Sequence, residues 1–373
     1  MRELYTLELA RLVKELGALE GSYIDQFYEI ERGRFRIKIG RREEKLNLQC
    51  MIPYTINRTE RIEVREDATN FSLAVRKRIG GARIKGVSLL NNDRIIMFTL
   101  EKAGSEMNLI FEMFGKGNTV ITDPSMKILL AYQVHEFKDR AIKPGMEYKT
   151  PANQSVDITD AEAVSKARKE LASESSEIIL GLNKKFGVGK MYVEESVRRA
   201  GIDTKAKTDS IDHKALDKML ENLKDVVQEC TKSPKFIAYE HEGKVANIAL
   251  CSIDKYESFE KREFKTMEEC LDYASSSSFT KEEGPSEDEE KTLASIEKQK
   301  KILDGIKSDI NSNKLMGDYI INNMHELNTL INELKKNKAM TKQELQKLSD
   351  TIEILNINMK TKSVRIKPKE GRT

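Results

Sequence analysis

Apolar residues recur at helical spacing near the start of the chain. Leu9, Leu12, Val13 and Leu16 mark one face of a helix that Thr6 can cap and Gly21 can close. Between residues 23 and 130 the pattern changes to alternation. Phe35, Ile37 and Ile39, then Leu46 and Leu48, then residues 94–100, 108–114 and 118–122 read as strands, interrupted by one helix near residues 71–79. The short Gly115-Lys116-Gly117-Asn118 turn between two of these strands predicts antiparallel hairpins. Residues 1–150 therefore read as an α+β, mostly sheet domain.

A Pro- and Gly-punctuated crossing at residues 143–151 leads to Thr159 and Glu162, spaced as a capping box that opens a helical domain over 151–232. Its last helix carries Leu216, Met219, Leu220, Leu223 and Val227 on one face, a pattern that belongs to a core. A hairpin about Glu242-Gly243 and a short helix capped by Thr266 and Glu269 and ending near Tyr273 complete the body over 233–282. Ser275 to Ser278 and the acidic run at 286–290 read as a linker into a further helix, whose N-terminal dipole favours acidic side chains.

Beyond it, Leu303, Ile306, Ile310, Asn313, Gly317, Ile320, Met324, Leu327, Ile331 and Leu334 alternate three and four apart, a coiled-coil seam over four heptads. Thr341 with Glu344 is a second capping box, and Leu345, Leu348, Ile352, Leu355 and Met359 continue the spacing. Residues 283–373 are thus expected to form an antiparallel coiled-coil arm with a return helix at 342–359. At 1.5 Å per residue such a helix reaches back only ~27 Å. The seam from Leu303 to Ile310 is left needing a second chain, a segment beyond this sequence or the body. The strand-like SVRIK at 363–367 favours a further segment.

Composition narrows the function. The 373 residues suit more than one domain, with 39% hydrophobic, 6% aromatic and 34% charged residues and no Trp, and 64 basic against 61 acidic side chains leave a net charge of only +3. Charge must therefore be read locally. Four widely spaced cysteines without a CxxC pair disfavour a disulfide framework and a zinc site and fit a reducing cytosol. The amphipathic N-terminus lacks the apolar core of a signal peptide, and no run approaches the ~18 apolar residues of a membrane span. The expectation is a cytoplasmic protein with no membrane contact.

Candidate chemistry is basic, not catalytic. Arg76, Lys77, Arg78, Arg83, Lys85 and Arg94 fall within twenty residues around Gly80-Gly81, a cluster that can meet phosphate or simply be a solvated face. The Gly187-Val188-Gly189-Lys190 turn can expose helix-terminal N–H groups to a phosphate, with Lys190 as the contact, or be ordinary punctuation between helices. His135, His213, His241 and His325 show no metal spacing, and Walker, GxSxG and HExxH motifs are absent. No catalytic residue and no cofactor are expected.

Several ordered motifs then carry a resemblance: LEGSYIDQFY, AVRKRIGGARI, NNDRIIMF, FEMFGKGNTVITD, IKPGMEYKTPA, and GDYIINN in the arm. Together they resemble the NFACT family of ribosome-associated quality-control factors. The resemblance implies a body related in fold to formamidopyrimidine-DNA glycosylases, in which FGVGKMYVEESVRRAGID is similar to their helix–two-turn–helix segment. It also implies a long antiparallel coiled coil and a C-terminal RNA-binding domain. On that resemblance this sequence is expected to cover only the first half of that coiled coil and none of the RNA-binding domain. As implied partners it gives a large ribosomal subunit carrying peptidyl-tRNA, and tRNA, and it leaves open a ubiquitin ligase or degradation partner. The implied task is template-free C-terminal tailing of stalled chains. The family's Asp-Arg motif falls on Asp93 and Arg94, its Lys-Gly-Asn turn on Lys116, Gly117 and Asn118, and the acidic residue of its first helix on Glu8.

Two rivals remain. A glycosylase-lyase would place a proline nucleophile after Met1, but position 2 is Arg and no four-cysteine finger follows. A surface adhesin binding fibronectin would be expected to carry a signal peptide or disulfides, and the sequence shows neither signature.

Overall fold

The computed structural model describes residues 2–41, 44–63, 68–137, 140–279, 287–337, 340–358 and 360–368. They divide into two compact units, residues 1–281 and 282–373.

The first unit opens with α1 (Thr6–Leu16), which buries Leu9, Leu12 and Leu16 completely. Each such side chain contributes about 1.5–3 kcal/mol. Tyr5, not Thr6, is the N-cap residue, because the Glu8 carboxylate accepts the Tyr5 backbone N–H and so closes the helix start. A 3-10 turn follows at Gly17–Leu19, and Gly21 turns the chain at φ +84° into the first strand.

Strands β1 (Tyr23–Glu31), β2 (Arg34–Arg41), β3 (Glu44–Met51) and β4 (Thr55–Arg58) precede α2 (Asn70–Ile79). After it come β5 (Arg83–Leu89), β6 (Ile95–Lys102), β7 (Ser105–Glu112), β8 (Asn118–Thr122) and β9 (Ile128–Ala131). They form one nine-stranded sheet in the order β4-β3-β2-β1-β5-β6-β7-β8-β9, antiparallel throughout. Its two halves meet narrowly, through the single partner pair Tyr23 and Arg83. Ile96, Phe98 and Leu100 enter the main core, whereas Ile95, Ile110, Val120 and Ile128 build a second cluster with Ile142 and Tyr148. Burial on both faces is why β8 reads as nearly continuous burial instead of alternation. A small ribbon, β10 (His135–Glu136) with β11 (Ala141–Ile142), closes that side.

Four helices follow: α3 (Ala161–Ser173), α4 (Ile178–Phe186), α5 (Lys190–Arg199) and α6 (His213–Lys232). Asp160, one residue past the expected Thr159, caps α3 by accepting the Glu162 and Ala163 N–H groups. The α6 face is buried as its spacing requires. Strands β12 (Phe236–His241), β13 (Lys244–Ala249) and β14 (Glu260–Phe264) make a three-stranded sheet, and α7 (Met267–Phe279) completes the unit, with Thr266 accepting the Glu269 N–H. Ser275 to Ser278 belong to α7, so the expected linker does not begin there; Ser275 is buried and bonds to Gln49. Ser286 lies outside the described residues. The segments 1–150, 151–232 and 233–282 share one apolar core, which runs from Leu4 to Ala274.

The second unit holds α8 (Glu287–Asn322), α9 (Met324–Lys336), α10 (Lys342–Gln346) and a hairpin of β15 (Ile352–Asn358) with β16 (Ser363–Pro368). The seam residues Leu303 and Ile310 lie on α8 and are 52% and 59% exposed. The return helix at 342–359 is corrected. It ends after one turn, and residues 352–358 are a strand; Met359 lies outside the described residues. Two local causes decide this. The β-branched Ile352, Ile354 and Ile357 favour extended backbone. In addition, the Gln346 side chain donates to the Ile352 carbonyl and accepts the Ile354 N–H, arresting the helix. Ile352 and Ile354 pack on Leu330, Leu334 and Leu345, while Leu348 and Leu355, which the helical reading placed in the seam, stay exposed. The alternation read in SVRIK is strand β16.

Candidate nucleic-acid interface

The turn joining β5 to β6 is built by Asn91 and Asn92, both left-handed at φ 54° and 46°, a conformation that asparagine tolerates better than most residues. Asp93 then folds back, its N–H donating to the Leu90 carbonyl and its carboxylate accepting the Arg94 N–H at 2.7 Å. Asn153 clamps the turn from outside by donating to the carbonyls of Asn91 and Asn92. Arg94 points away from the strand toward Phe114 and forms a salt bridge with Glu3. The other oxygen of Glu3 accepts the Gly115 N–H at 3.1 Å. The Asp93-Arg94 turn and the Lys116-Gly117-Asn118 turn thus sit at one end of the sheet, bridged by Glu3.

The second wall is the turn between α4 and α5. Gly187 closes α4 at φ +63°, and Gly189 at φ +112° starts α5, with its N–H held by the Asn183 side chain. Glycine is required at 189, since a Cβ there would lie 2.4 Å from Cγ of Tyr5. Tyr5, just ahead of α1, therefore packs closely against this turn. Lys190 is exposed at the first position of α5, where the positive end of the helix faces solvent. The two walls enclose a cavity of about 260 Å³, lined by Tyr5, Asn92, Asp93, Arg94, Asn153 and Lys190 among others.

Glu8 lies beneath this cavity, not in it. It is 0% exposed and accepts from Arg2 at 2.5 and 2.8 Å, from the Tyr192 hydroxyl at 2.8 Å and from the Tyr5 N–H at 2.8 Å. Desolvation works against the Arg2 charge, yet the Glu8 carboxylate outweighs it and the guanidinium pKa is raised. Burial raises the Tyr5 hydroxyl as well, against the pull of Arg2.

The expected site residues thus separate. Asp93, Arg94 and Lys190 converge on one cavity, and Lys116 is exposed on the neighbouring turn. Asn118 is 1% exposed and spends its side chain on backbone, donating to Gln133 and accepting from Thr119 and Gln133. Glu8 and Asn118 shape the walls and present no surface to a ligand. Arg76, Lys77 and Arg78 lie on α2, and Arg83 at the far end of β5, six residues or about 20 Å of strand from Leu89. Glu3, Tyr5 and Asn153 escape a sequence reading because their partners are 91, 184 and 62 positions distant; only the Asn91-Asn92 pair carries a local turn signal. Among the described residues no cluster of metal ligands forms and no helix is long and apolar enough to cross a membrane.

An antiparallel sheet whose end turns face a Gly-x-Gly helix start across a polar cleft defines the structural class. The family profile described as NFACT N-terminal and middle domains matches residues 6–367. The chain belongs to that family. The archaeal Rqc2 homolog aRqcH of Methanocaldococcus jannaschii is 24% identical over 355 residues, 90% of this chain and 52% of that protein. Ribosome quality control complex subunit 2 of Schizosaccharomyces pombe is 27% identical over 158 residues, 40% of this chain and 16% of its own length. The chain spans about half the length of the archaeal relative. Of solved structures, the fibrinogen binding protein from Staphylococcus aureus superposes on 72% of this chain and 97% of its own with a TM-score of 0.59 at 18% identity, a likeness of fold. The MutM (Fpg) protein of Thermus thermophilus is more remote, with a TM-score of 0.34 and 13% identity over 62% of this chain and 76% of its own.

Proposed function

We propose that this chain is the tRNA-gripping body of a cytoplasmic ribosome-associated quality-control factor. It brings aminoacyl-tRNA to a large ribosomal subunit that still holds peptidyl-tRNA, and the ribosome's own peptidyl transfer extends the stalled chain without a template. The protein itself is not an enzyme. The observation that carries this reading is the convergence of Asp93, Arg94 and Lys190 on one polar cavity, with Lys116 exposed on the adjoining turn. Support for the ribosomal setting comes from the relatives, one of which is named as a ribosome quality control complex subunit.

In this reading Arg94 and Lys190 meet backbone phosphates, Arg94 by exchanging its contact with Glu3 for a phosphate oxygen. Asp93 acts on the turn, holding the Arg94 backbone so that its side chain enters the cleft. Support for a non-enzymatic role is local too. Residue 2, where an imine-forming lyase would need its nucleophile, is an arginine bound to Glu8 and Asn247.

The test is co-sedimentation with large subunits carrying peptidyl-tRNA, with tRNA recovery and tail length scored. Asp93→Ala with Arg94→Ala is expected to lower tRNA recovery about tenfold and shorten tails. Unchanged recovery and tails, or cleavage of abasic duplex DNA by the purified chain, would overturn the reading.

A further inference from the structure

Across β1, β2 and β3 the register sets Tyr28 opposite Arg36, Gln26 opposite Lys38, and Arg36 opposite Gln49, so these side chains share one face of the sheet. Arg36 is 8% exposed, its buried Nε has no hydrogen-bond partner, and among the described residues its guanidinium forms no ion pair. It lies 4.4 Å from the centre of the Tyr28 ring. Arg76, from α2, reaches the same ring at 4.6 Å, fixed there by donating Nε to the Phe27 carbonyl at 2.6 Å. No ion pair involves Arg76 among the described residues either.

A guanidinium largely withdrawn from water, its Nε buried without a partner and no carboxylate beside it among the described residues, is a costly arrangement, and a second cation on the same ring makes it costlier. The ring answers only part of that charge. An anion with several oxygens that both guanidiniums can engage removes the deficit, and the planar forks of arginine match a phosphate in that way. Lys38 on the same face adds a further cation, as a repeating anion requires and a lone carboxylate does not.

We propose that Tyr28, Arg36 and Arg76 form a phosphate site that takes a backbone phosphate of bound RNA. It stands apart from the cleft at Asp93 and Arg94, on the far side of the junction between β1 and β5. The RNA assignment rests on the tRNA-binding reading above; the anion site does not. Residue 36 is a second grip on the same nucleic acid, and Arg76 acts here and not in the cleft.

The test pairs two measurements on the whole chain. Thermal unfolding in inorganic phosphate against chloride at matched ionic strength is expected to show a phosphate-dependent rise in Tm for the native chain that Arg36→Met largely loses. In chloride, Arg36→Met is expected to unfold no earlier than the native chain. Titration of tRNA at several salt concentrations is expected to give about tenfold weaker binding for Arg36→Met and a salt slope lower by about one. Arg36→Lys, which keeps the charge and the stem, should keep the slope and lose part of the affinity, so the proposal stays testable if the methionine variant does not fold. Equal destabilisation of Arg36→Met in both buffers with an unchanged slope would overturn the site. Phosphate stabilisation that requires Arg36, with tRNA binding unchanged, would overturn the RNA assignment in favour of an acidic peptide. A native chain that binds no tRNA would overturn the tRNA-binding reading and the RNA assignment with it, and the phosphate shift would still report on the anion site.

Discussion

Arg2 and Arg36 are both largely drawn out of water, and they are treated in opposite ways. Arg2 meets both oxygens of Glu8, the side chain of Asn247 and the Ile248 carbonyl. Arg36 meets a tyrosine ring and, among the described residues, no anion. A charge whose every donor is answered belongs to the architecture; one left unanswered marks a place where something is to bind. Arg94 stands between them, exposed by about a third and held by Glu3 in an ion pair that a ligand can replace.

The largest effect should come from breaking the answered network. Glu8→Ala strands Arg2 and the Tyr192 hydroxyl and releases the Tyr5 cap, and about 3–5 kcal/mol should be lost in denaturant unfolding. Next is Gly189→Ala, which sets a Cβ against Tyr5 at a φ that alanine disfavours; about 2–4 kcal/mol should be lost, with tRNA binding falling as the cleft opens. Ile352→Ala tests the second unit. It removes a fully buried side chain of a small core at a cost of about 2–3 kcal/mol, and circular dichroism should show no gain in helix. The smallest stability change belongs to Arg94→Ala, below about 1 kcal/mol, because its ion pair is solvated; its tRNA affinity should nevertheless fall about tenfold. If Glu8→Ala left stability untouched, the contrast between answered and unanswered charges would lose its meaning.

Much of the body was legible because its signals are local. Alternation at Phe35, Ile37 and Ile39 fixed a strand, the spacing of Leu216 to Val227 a helix, and Glu242-Gly243 a hairpin turn. The arm misled because Leu345, Leu348, Ile352 and Leu355 satisfy helical spacing while Ile352, Ile354 and Ile357 satisfy strand chemistry; Gln346 settles the contest through bonds to backbone six and eight residues away. At the site, motif residues did not distinguish contact from support. Asn118 and Lys116 are two positions apart, yet one is buried in three bonds to backbone and the other is exposed. Arg36 gave no signal at all, since a basic residue in an alternating strand ordinarily faces water, and only the tertiary fold buries it beside Arg76.

The most direct test of the central claim is the dissociation constant of tRNA at fixed salt for the native chain and for Asp93→Ala with Arg94→Ala, with unfolding measured alongside. About tenfold weaker binding with unfolding within a few degrees of the native chain is the predicted result. Equal affinity in a folded variant would contradict the account.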